Sequence, residues 1–480
     1  MFSFNYRPSS FVFQATMAVA SFGVSLGLGG SVLAQDFSVN SYSIRMNKYS
    51  TEMMEEIKKQ KNPKTVRLEK ASGDAELAEV VKWGWVESLE IRSDNIGDIT
   101  PVANLKSLKK VRLSMKKSRD NPVDLSSLAQ LTNLEEFDSY ATKISKPDSL
   151  SRLTNLKVAK LYMADTDSLD FLAGTPNLEV LNLYGFGHTF ENYEPVSKLK
   201  NLKKLNVYMN KQAVDEKLAV LKSLTSLQEM QLSKCKFVTT LSFLENCKSM
   251  TRIDASWCSA LVDFSALKAM DQLEHVQFYE ATFKNIEFLA GKKKLKHVSL
   301  NATDIKHVNE LKGLPNLETV YLESSAVTDI SGLAQVPALR FLSINKTKIA
   351  DLSPLTNSEK LFVLTAKETQ ISDLSPLKGK QLLKNLFLNK TLVTDISPLA
   401  DLPQLYHLDL TDTAVSDISV VASLANLSKL SLGGTNVTDF SPIHSGLPKL
   451  SSVVLPKSTS EETIAELKAK RPKTRFRVAK

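Results

Sequence analysis

The sequence predicts an α/β solenoid with a curved parallel β-sheet on its concave face, short helical turns on its convex face, and helical caps at both ends. The first observation is a motif, Leu-x-x-Leu-x-Leu, that returns every 22 residues between Phe278 and Leu432. The second is a segment, Asp-Ile/Leu-Ser-Pro-Leu, that follows the motif at a fixed distance, as in 405–421 (LYHLDLTDTAVSDISVV) and 383–399 (LKNLFLNKTLVTDISPL). A fixed period near 20 residues is typical of a solenoid in which each repeat contacts its neighbours.

The last hydrophobic residue of each motif serves as a register mark for its turn. Successive marks are 22 residues apart from Phe278 to Leu432, and 22 to 26 residues apart before Phe278, so the first half carries small insertions. The marks are Ile91, Leu113, Ser139, Leu161, Leu183, Val207, Leu232, Ala255, Phe278, Leu300, Leu322, Ile344, Ala366, Leu388, Leu410, Leu432 and Leu455.

Each motif predicts a short strand, because its leucines alternate with polar residues and would all point to one side of a pleated sheet. The far side of each turn begins with pairs such as Ser353-Pro354 and Ser397-Pro398. Ser is a good N-cap and Pro suits the first helical position, so these pairs predict single helical turns. A column of aspartates precedes them, and its regular place predicts capping rather than calcium binding: Asp329, Asp351, Asp373, Asp395, Asp417 and Asp439.

The repeats are expected over 86–457, in about 17 turns. Residues 35–85 are expected to form an N-terminal cap, with a helix that begins at Ser50 or Thr51 and a first strand at 66–68. Residues 458–480 are expected to close the other end with a helix beginning after Ser460 and a strand, RFRV.

Residues 1–34 predict a secretory signal peptide. The stretch 11–34 is apolar and rich in small residues, and it ends in Val-Leu-Ala before Gln35. The protein is therefore expected to be exported to the periplasm or secreted by a bacterium. An uncleaved membrane anchor is the alternative interpretation, and no later segment is apolar enough to span a bilayer.

Composition favours a binding protein over an enzyme. The net charge of +9 is modest for 480 residues and its lysines are dispersed, so nucleic-acid binding is not expected. There is no phosphate-binding loop and no nucleophile motif. His275 and His297 face outward on adjacent strands without a third ligand nearby, so neither a metal nor a cofactor is expected. Cys235, Cys247 and Cys258 occupy structural positions of the repeat; a disulfide between Cys235 and Cys258 stays possible.

The 22-residue pattern resembles the leucine-rich repeat proteins, and among them the bacterial internalin class. The resemblance is strongest over 283–455. Internalins usually carry Asn three residues after the register mark, whereas this chain carries hydroxyl residues such as Thr303, Thr347 and Thr391, which can bond the turn's backbone. The resemblance implies a monomeric, non-enzymatic protein that binds a protein partner, with host adhesion or virulence as the implied role.

Aromatic residues predict where the partner binds. Tyr140, Tyr162, Tyr184 and Tyr208 directly follow the register mark in four consecutive turns, a position expected to point outward from the strand. Such a row supplies a large contact area at low entropic cost. The full candidate set is Tyr140, Tyr162, Tyr184, Tyr208, Trp257, Tyr279, Tyr321 and Phe341.

Three alternatives to protein binding stay open at this point. The aromatic ladder could simply stabilise neighbouring turns. Tyrosine rows also stack on sugar rings, which favours a carbohydrate-binding solenoid. The same repeat occurs in a regulatory subunit of protein phosphatase 1, although the signal peptide argues against an intracellular role.

Overall fold

The computed structural model describes residues 37–116, 121–140, 142–161, 168–183, 191–283, 285–444 and 446–479. Its dominant feature is one sheet of 21 strands, to which nearly every turn of the chain adds one strand. Short 3-10 turns occupy the opposite side of the repeats. The predicted solenoid is therefore confirmed, while the predicted signal peptide, 1–34, lies outside the described residues.

The strands are short, because each Leu-x-x-Leu-x-Leu motif provides only a few extended residues before the chain turns. In chain order they are β1 Phe37–Val39, β2 Ser43–Met46, β3 Thr65–Leu68, β4 Ser88–Ile91, β5 Lys110–Leu113, β6 Val123–Asp124, β7 Glu136–Asp138, β8 Ile144–Ser145, β9 Val158–Lys160, β10 Val180–Asn182, β11 Lys204–Asn206, β12 Glu229–Gln231, β13 Arg252–Asp254, β14 His275–Gln277, β15 His297–Ser299, β16 Thr319–Tyr321, β17 Phe341–Ser343, β18 Val363–Thr365, β19 Asn385–Phe387, β20 His407–Asp409, β21 Lys429–Ser431, β22 Ser452–Leu455 and β23 Arg475–Val478.

Helical segments alternate with the strands. The α-helices are α1 Thr51–Lys59, α2 Asp74–Val80, α3 Glu194–Ser197, α4 Asp215–Leu218 and α5 Glu461–Lys470. The 3-10 turns are Thr100–Asn104, Ser126–Gln130, Pro147–Arg152, Asp170–Gly174, Ala219–Ser223, Ser242–Leu244, Ser265–Ala269, Glu287–Leu289, Asn309–Leu311, Ser331–Leu333, Ser353–Leu355, Ser375–Leu377, Ser397–Leu399, Ser419–Ser423 and Ser441–Ile443. Within the described part of the chain, no helix combines the length and the apolar character that a bilayer crossing requires.

The sheet grows in chain order. From β2 to β23, each strand pairs in parallel with the next one of the main sheet, for example Leu386 with Leu408 between β19 and β20. β6 and β8 pair with each other in a separate small ladder, and β1 joins β2 antiparallel. Every register mark is fully buried. Each large apolar mark contributes about 1.5–3 kcal/mol by its removal from water, so the stack of marks forms one continuous core.

Hydroxyl groups fix the turn that follows each strand in the second half. The Thr347 hydroxyl donates to the Ile344 carbonyl at 2.7 Å, and the Thr391 hydroxyl donates to the Leu388 carbonyl at 2.7 Å. The predicted backbone-bonding role of the threonine column is confirmed. The residue two positions after the register mark has a left-handed backbone in ten consecutive turns, in the last six of which it directly precedes the hydroxyl residue: Met209, Lys234, Trp257, Glu280, Ala302, Ser324, Lys346, Glu368, Lys390 and Asp412.

The capping prediction was right for aspartate and wrong for serine. Ser353 is the first residue of a 3-10 turn rather than its N-cap, and Pro354 is the second. Asp351 Oδ1 accepts from the Ser353 amide at 2.7 Å, and Asp351 Oδ2 accepts from the Ser353 hydroxyl at 2.7 Å. The carboxylate suits this role because its two charged oxygens accept the two bonds separately, and bonds to a charged acceptor are the stronger ones.

The ends are closed by capped helices and by added strands. The Ser50 hydroxyl accepts from the Met53 amide at the start of α1, and the Ser460 hydroxyl accepts from the Thr463 amide at the start of α5. β23 pairs in parallel with β22, so the closing segment extends the sheet. Neither β2 nor α2 was predicted, since both lie in the irregular segment before the repeats.

Candidate functional site: the concave face

The concave face comprises the outward side chains of the main-sheet strands and of the residues that flank each strand. Its first part, from β3 to β9, is charged. Glu90 on β4 lies 2.9 Å from Arg67 Nε, 2.9 Å from Arg92 Nε and 3.5 Å from Arg112 Nε. Glu90 is only 8% exposed. The charges of this part therefore largely neutralise one another.

A second set of charged side chains lies directly before the strands, one residue per strand. We term this set the edge column. Cations and carboxylates alternate along it, with neutral residues at Gln228 and Thr251 and with Phe362, Tyr406 and Ser428 near its end. Lys109 Nζ lies 3.0 Å from a Glu87 oxygen, Lys157 Nζ lies 2.8 Å from Glu135, and Lys296 Nζ lies 2.8 Å from Glu274. In chain order the edge column reads Lys64, Glu87, Lys109, Glu135, Lys157, Glu179, Lys203, Gln228, Thr251, Glu274, Lys296, Glu318, Arg340, Phe362, Lys384, Tyr406 and Ser428.

The second part of the concave face, from β14 to β20, is aromatic. The rings of His275 and His297 have their centroids 5.9 Å apart, and those of His297 and Tyr321 are 5.3 Å apart. Further along, two more pairs meet edge to face: Phe341 with Phe362 at 6.0 Å, and Phe387 with His407 at 4.7 Å. These side chains form the aromatic stripe: His275, His297, Tyr321, Phe341, Phe362, Phe387, Tyr406 and His407.

Three cations lie against the stripe. The Arg340 guanidinium lies 5.7 Å from the Phe341 ring centroid and 5.8 Å from that of Phe362. Lys384 Nζ lies 5.8 Å from Phe362 and 5.5 Å from Tyr406. Lys367 Nζ lies 4.9 Å from the Phe387 ring. Cations at such distances are attracted by the electron-rich ring faces, so the stripe combines apolar area with positive charge.

The strand position predicted for the tyrosine row is wrong for Tyr140 and Tyr208. β7 ends at Asp138 and β11 ends at Asn206, so Tyr140 and Tyr208 lie in the turns that follow. Tyr140 is 44% exposed, but Tyr208 is only 5% exposed and belongs to the core boundary. Tyr162 and Tyr184 lie outside the described residues. Of the remaining candidates, Tyr321 on β16 and Phe341 on β17 lie on strands and are partly exposed.

Tyr208 is covered by a cluster that joins three turns. Lys234 Nζ lies 5.4 Å from the Tyr208 ring and 5.2 Å from the Trp257 ring. The Trp257 and Tyr279 centroids are 4.8 Å apart. Trp257 follows β13 in the left-handed backbone shared by the other turns, with φ of 58°, so it too lies beyond the strand. The cluster couples neighbouring turns and leaves Trp257 and Tyr279 partly exposed at the edge of the concave face.

The surroundings of the two neighbouring histidines disfavour their protonated forms. Burial lowers the pKa of His297 to about 4, and the charges of His275 and Arg252 add to the shift. Burial likewise lowers the pKa of His275. Across the residues that the structure describes, no three His, Cys, Asp or Glu side chains are grouped so that they could hold a metal ion.

All three cysteines are buried free thiols. The Cys235 thiol lies 3.2 Å from the Val207 carbonyl, and the Cys258 thiol lies 3.2 Å from the Leu232 carbonyl. Burial raises the pKa of Cys235 to about 12. The thiols of Cys235 and Cys258 thus take the place of the threonine hydroxyls of other turns. Each thiol donates its hydrogen bond to a carbonyl of the preceding turn.

Six residues of the stripe were missed as partner-binding candidates by sequence reasoning. His275 and His297 were considered only as metal ligands. Phe362 and Tyr406 belong to the edge column, whereas Phe387 and His407 lie on β19 and β20. A signal was present, because Phe362 and Tyr406 interrupt the alternation of cations and carboxylates in the edge column.

Comparison with known proteins shows the fold class. No family model matches the chain, and no characterised sequence matches it significantly. Among solved structures, an internalin (InlF) from Listeria monocytogenes is 22% identical with a TM-score of 0.54, covering 71% of this chain and 90% of its own. A leucine-rich repeat protein of Leptospira interrogans is 14% identical with a TM-score of 0.52, covering 90% and 93%.

A plant receptor is similar as well. The peptide hormone receptor RGFR1, solved in complex with RGF2, is 15% identical with a TM-score of 0.60, covering 82% of this chain and 68% of its own. These likenesses, together with the geometry of the repeats, show that the chain has the leucine-rich repeat fold.

Proposed function

We propose that this leucine-rich repeat protein is an exported, non-enzymatic binding protein that holds a polypeptide partner on its concave face. The observation that carries the proposal is the aromatic stripe. Between β3 and β9 the charged side chains are paired with one another, whereas between β14 and β20 the rings contact one another and three cations. A surface that is apolar, aromatic and positively charged in this way is typical of interface hot spots.

The form of the stripe favours a protein partner over a sugar. Sugar rings stack on flat aromatic faces, but Phe341 and Phe362 meet at 68° and Phe387 and His407 meet at 72°. Edge-to-face pairs leave crevices between the rings, which apolar side chains of a partner can fill. The receptor RGFR1, whose fold this chain shares, was solved with a peptide hormone bound.

The candidate partner-binding residues are retained as part of this proposal, with Tyr321 and Phe341 at its centre. Trp257 and Tyr279 extend the surface toward the first half of the solenoid. Tyr140, Tyr162 and Tyr184 stay candidates for a second contact, whereas the burial of Tyr208 gives it a supporting role. A host surface protein is the partner that the predicted export and the internalin-like repeat favour.

Affinity capture tests this proposal. The mature protein from Gln35 onward would be compared with a Tyr321→Ser/Phe341→Ser/Phe387→Ser variant, on host surface extract and on envelope extract of the producing cell. We expect the variant to bind its partner at least about thirtyfold more weakly, because removal of even one hot-spot ring costs about 2 kcal/mol or more.

The matched control is Phe237→Ser/Val262→Ser/Leu392→Ser. Those three apolar side chains lie off the strands and are each more exposed than Tyr140, so the control removes similar apolar area from other surfaces. Full retention by the control, with intact folding of both variants by circular dichroism, would support the concave face. Equal retention by both variants would overturn the proposal.

A further inference from the structure

We propose that the segment of the concave face from β17 to β20 recognises an acidic, extended stretch of the partner polypeptide. This inference rests on the proposed function and adds the chemistry of the ligand. It is drawn from the edge column, in which aromatic rings occupy the carboxylate positions from Phe362 onward.

The alternation in the edge column is an internal neutralisation. Where a lysine of the column has a glutamate in the turn before or after it, the two form an ion pair, as Lys203 does with Glu179 at 2.9 Å. From Arg340 onward, rings replace the carboxylates. Phe362 and Tyr406 stand where the alternation would place Glu or Asp. The edge column therefore has Arg340 and Lys384 at its cationic positions, and rings at the next positions, where carboxylates would pair with them.

The resulting cations have no carboxylate partner among the described residues. Arg340, Lys367 and Lys384 form no ion pair, and each contacts rings instead. Glu318 precedes Arg340 in the edge column but forms no ion pair with it. Asp409, the acidic side chain of β20, accepts bonds from the Thr411 amide and hydroxyl at 3.1 and 2.6 Å. The three cations of this segment therefore outnumber its strand carboxylate, Asp409, and their charged groups stay available to an anion from outside.

A cation held against a ring is positioned for an anion. The ring attracts the cation only weakly, about 0.5–1 kcal/mol at exposed sites, so a carboxylate of a ligand can add a charge-assisted hydrogen bond without first displacing an internal carboxylate. Long cationic side chains normally lose entropy on binding, and contact with the rings reduces that loss. The rings themselves supply apolar contact on either side of each charge.

The dimensions fit a peptide. Strands lie about 4.8 Å apart, so β17 to β20 span about 14 Å, and the whole stripe from β14 to β20 spans about 29 Å. An extended segment of about nine residues covers that length. The expected ligand is a stretch that alternates Asp or Glu with apolar or aromatic residues, with the acidic residues toward β17–β20.

Selection from a random 12-residue peptide library on the immobilised protein tests the inference, followed by binding measurements with the selected peptides. Wild-type protein is expected to enrich Asp and Glu together with apolar residues. The Arg340→Gln/Lys367→Gln/Lys384→Gln variant is expected to weaken the binding of those peptides by about tenfold or more, from three partly desolvated charge contacts.

The matched control is Lys109→Gln/Lys157→Gln/Lys203→Gln, which removes the same net charge from edge-column lysines that already have glutamate partners and lie outside β14–β20. It is expected to change the affinity by less than about twofold, because those lysines are neutralised internally. Equal weakening by both variants would mean a nonspecific charge effect and would overturn the inference, as would selection of peptides without acidic residues.

Two further outcomes separate this inference from the proposed function. Heparin, used as a sulfated glycan probe, is expected to bind less tightly than the selected peptides; tighter binding, lost in the Arg340/Lys367/Lys384 variant, would assign the cations to a glycan and overturn the inference. If no acidic preference is found but Tyr321→Ser/Phe341→Ser/Phe387→Ser still loses the captured protein, the inference falls and the protein-binding face stands.

Discussion

Replacing Glu90 by Gln is expected to lower the free energy of unfolding by about 2–3 kcal/mol. The side chain is 8% exposed and is the shared carboxylate of Arg67, Arg92 and Arg112. Without its charge, Arg67 would lose its carboxylate, and Arg92 and Arg112 would keep only Glu69 at 3.9 Å and Asp138 at 3.6 Å. Loss of one partner of a buried ion pair costs about 3–5 kcal/mol. The partial exposure of the arginines reduces the expected cost.

Urea unfolding followed by circular dichroism measures the effect of Glu90→Gln. Glu179→Gln is the matched control, because Glu179 has a single partner, Lys203, and a half-exposed side chain. Its expected effect is below about 0.5 kcal/mol. Similar losses for both variants would show that the charges of β3–β5 act as an ordinary solvated surface and not as a network.

Acidification from pH 7.5 to pH 5 is expected to destabilise the protein through His297 by about 1–2 kcal/mol. The pKa of His297 is lowered to about 4 in the folded protein by burial, while an unfolded histidine titrates near 6.5. Between those values the unfolded chain binds the proton and the folded chain does not, so stability falls as the pH falls. The contribution is present above pH 6.5 and is lost progressively below it.

His297→Gln is expected to flatten this part of the stability profile, because the glutamine does not titrate. Urea unfolding at pH 5 to 7.5 measures it, in a range where most carboxylates stay ionised in both states. His307→Gln, on a side chain that is 47% exposed, is the control. An unchanged slope in His297→Gln, or an equal change in both variants, would show that His297 is solvated in the folded protein.

Most of the fold could be predicted from the repeat, because the period determines which apolar residues of each turn lie in the core. The register marks from Ile91 to Leu455 could be placed in the core from spacing alone, and all are buried. The threonine column and the aspartate column could be assigned for the same reason. By contrast, β2 and α2 precede the repeats, where no neighbouring turn repeats the pattern.

The candidate site was less predictable, for two physical reasons. The strict alternation of residues along a strand was extended past the strand's end, so that Tyr140 and Tyr208 were placed on strands, whereas β7 ends at Asp138 and β11 ends at Asn206. After Tyr208 the chain turns through the left-handed residue Met209. Burial of Tyr208 depends on Lys234 and Trp257 in the following turns, and contacts between turns of unequal length do not follow from spacing. Phe362 was missed because it lies one residue before β18, outside the alternating pattern.

The most direct test of the account is hydroxyl-radical footprinting of the protein alone and with the partner obtained by capture. The account predicts that labelling of Tyr321, Phe341, Phe362, Phe387 and Tyr406 falls on binding, while labelling of Phe237, Val262 and Leu392 stays unchanged. Protection of Phe237, Val262 or Leu392 with no change along the aromatic stripe would contradict it and would place the partner off the concave face.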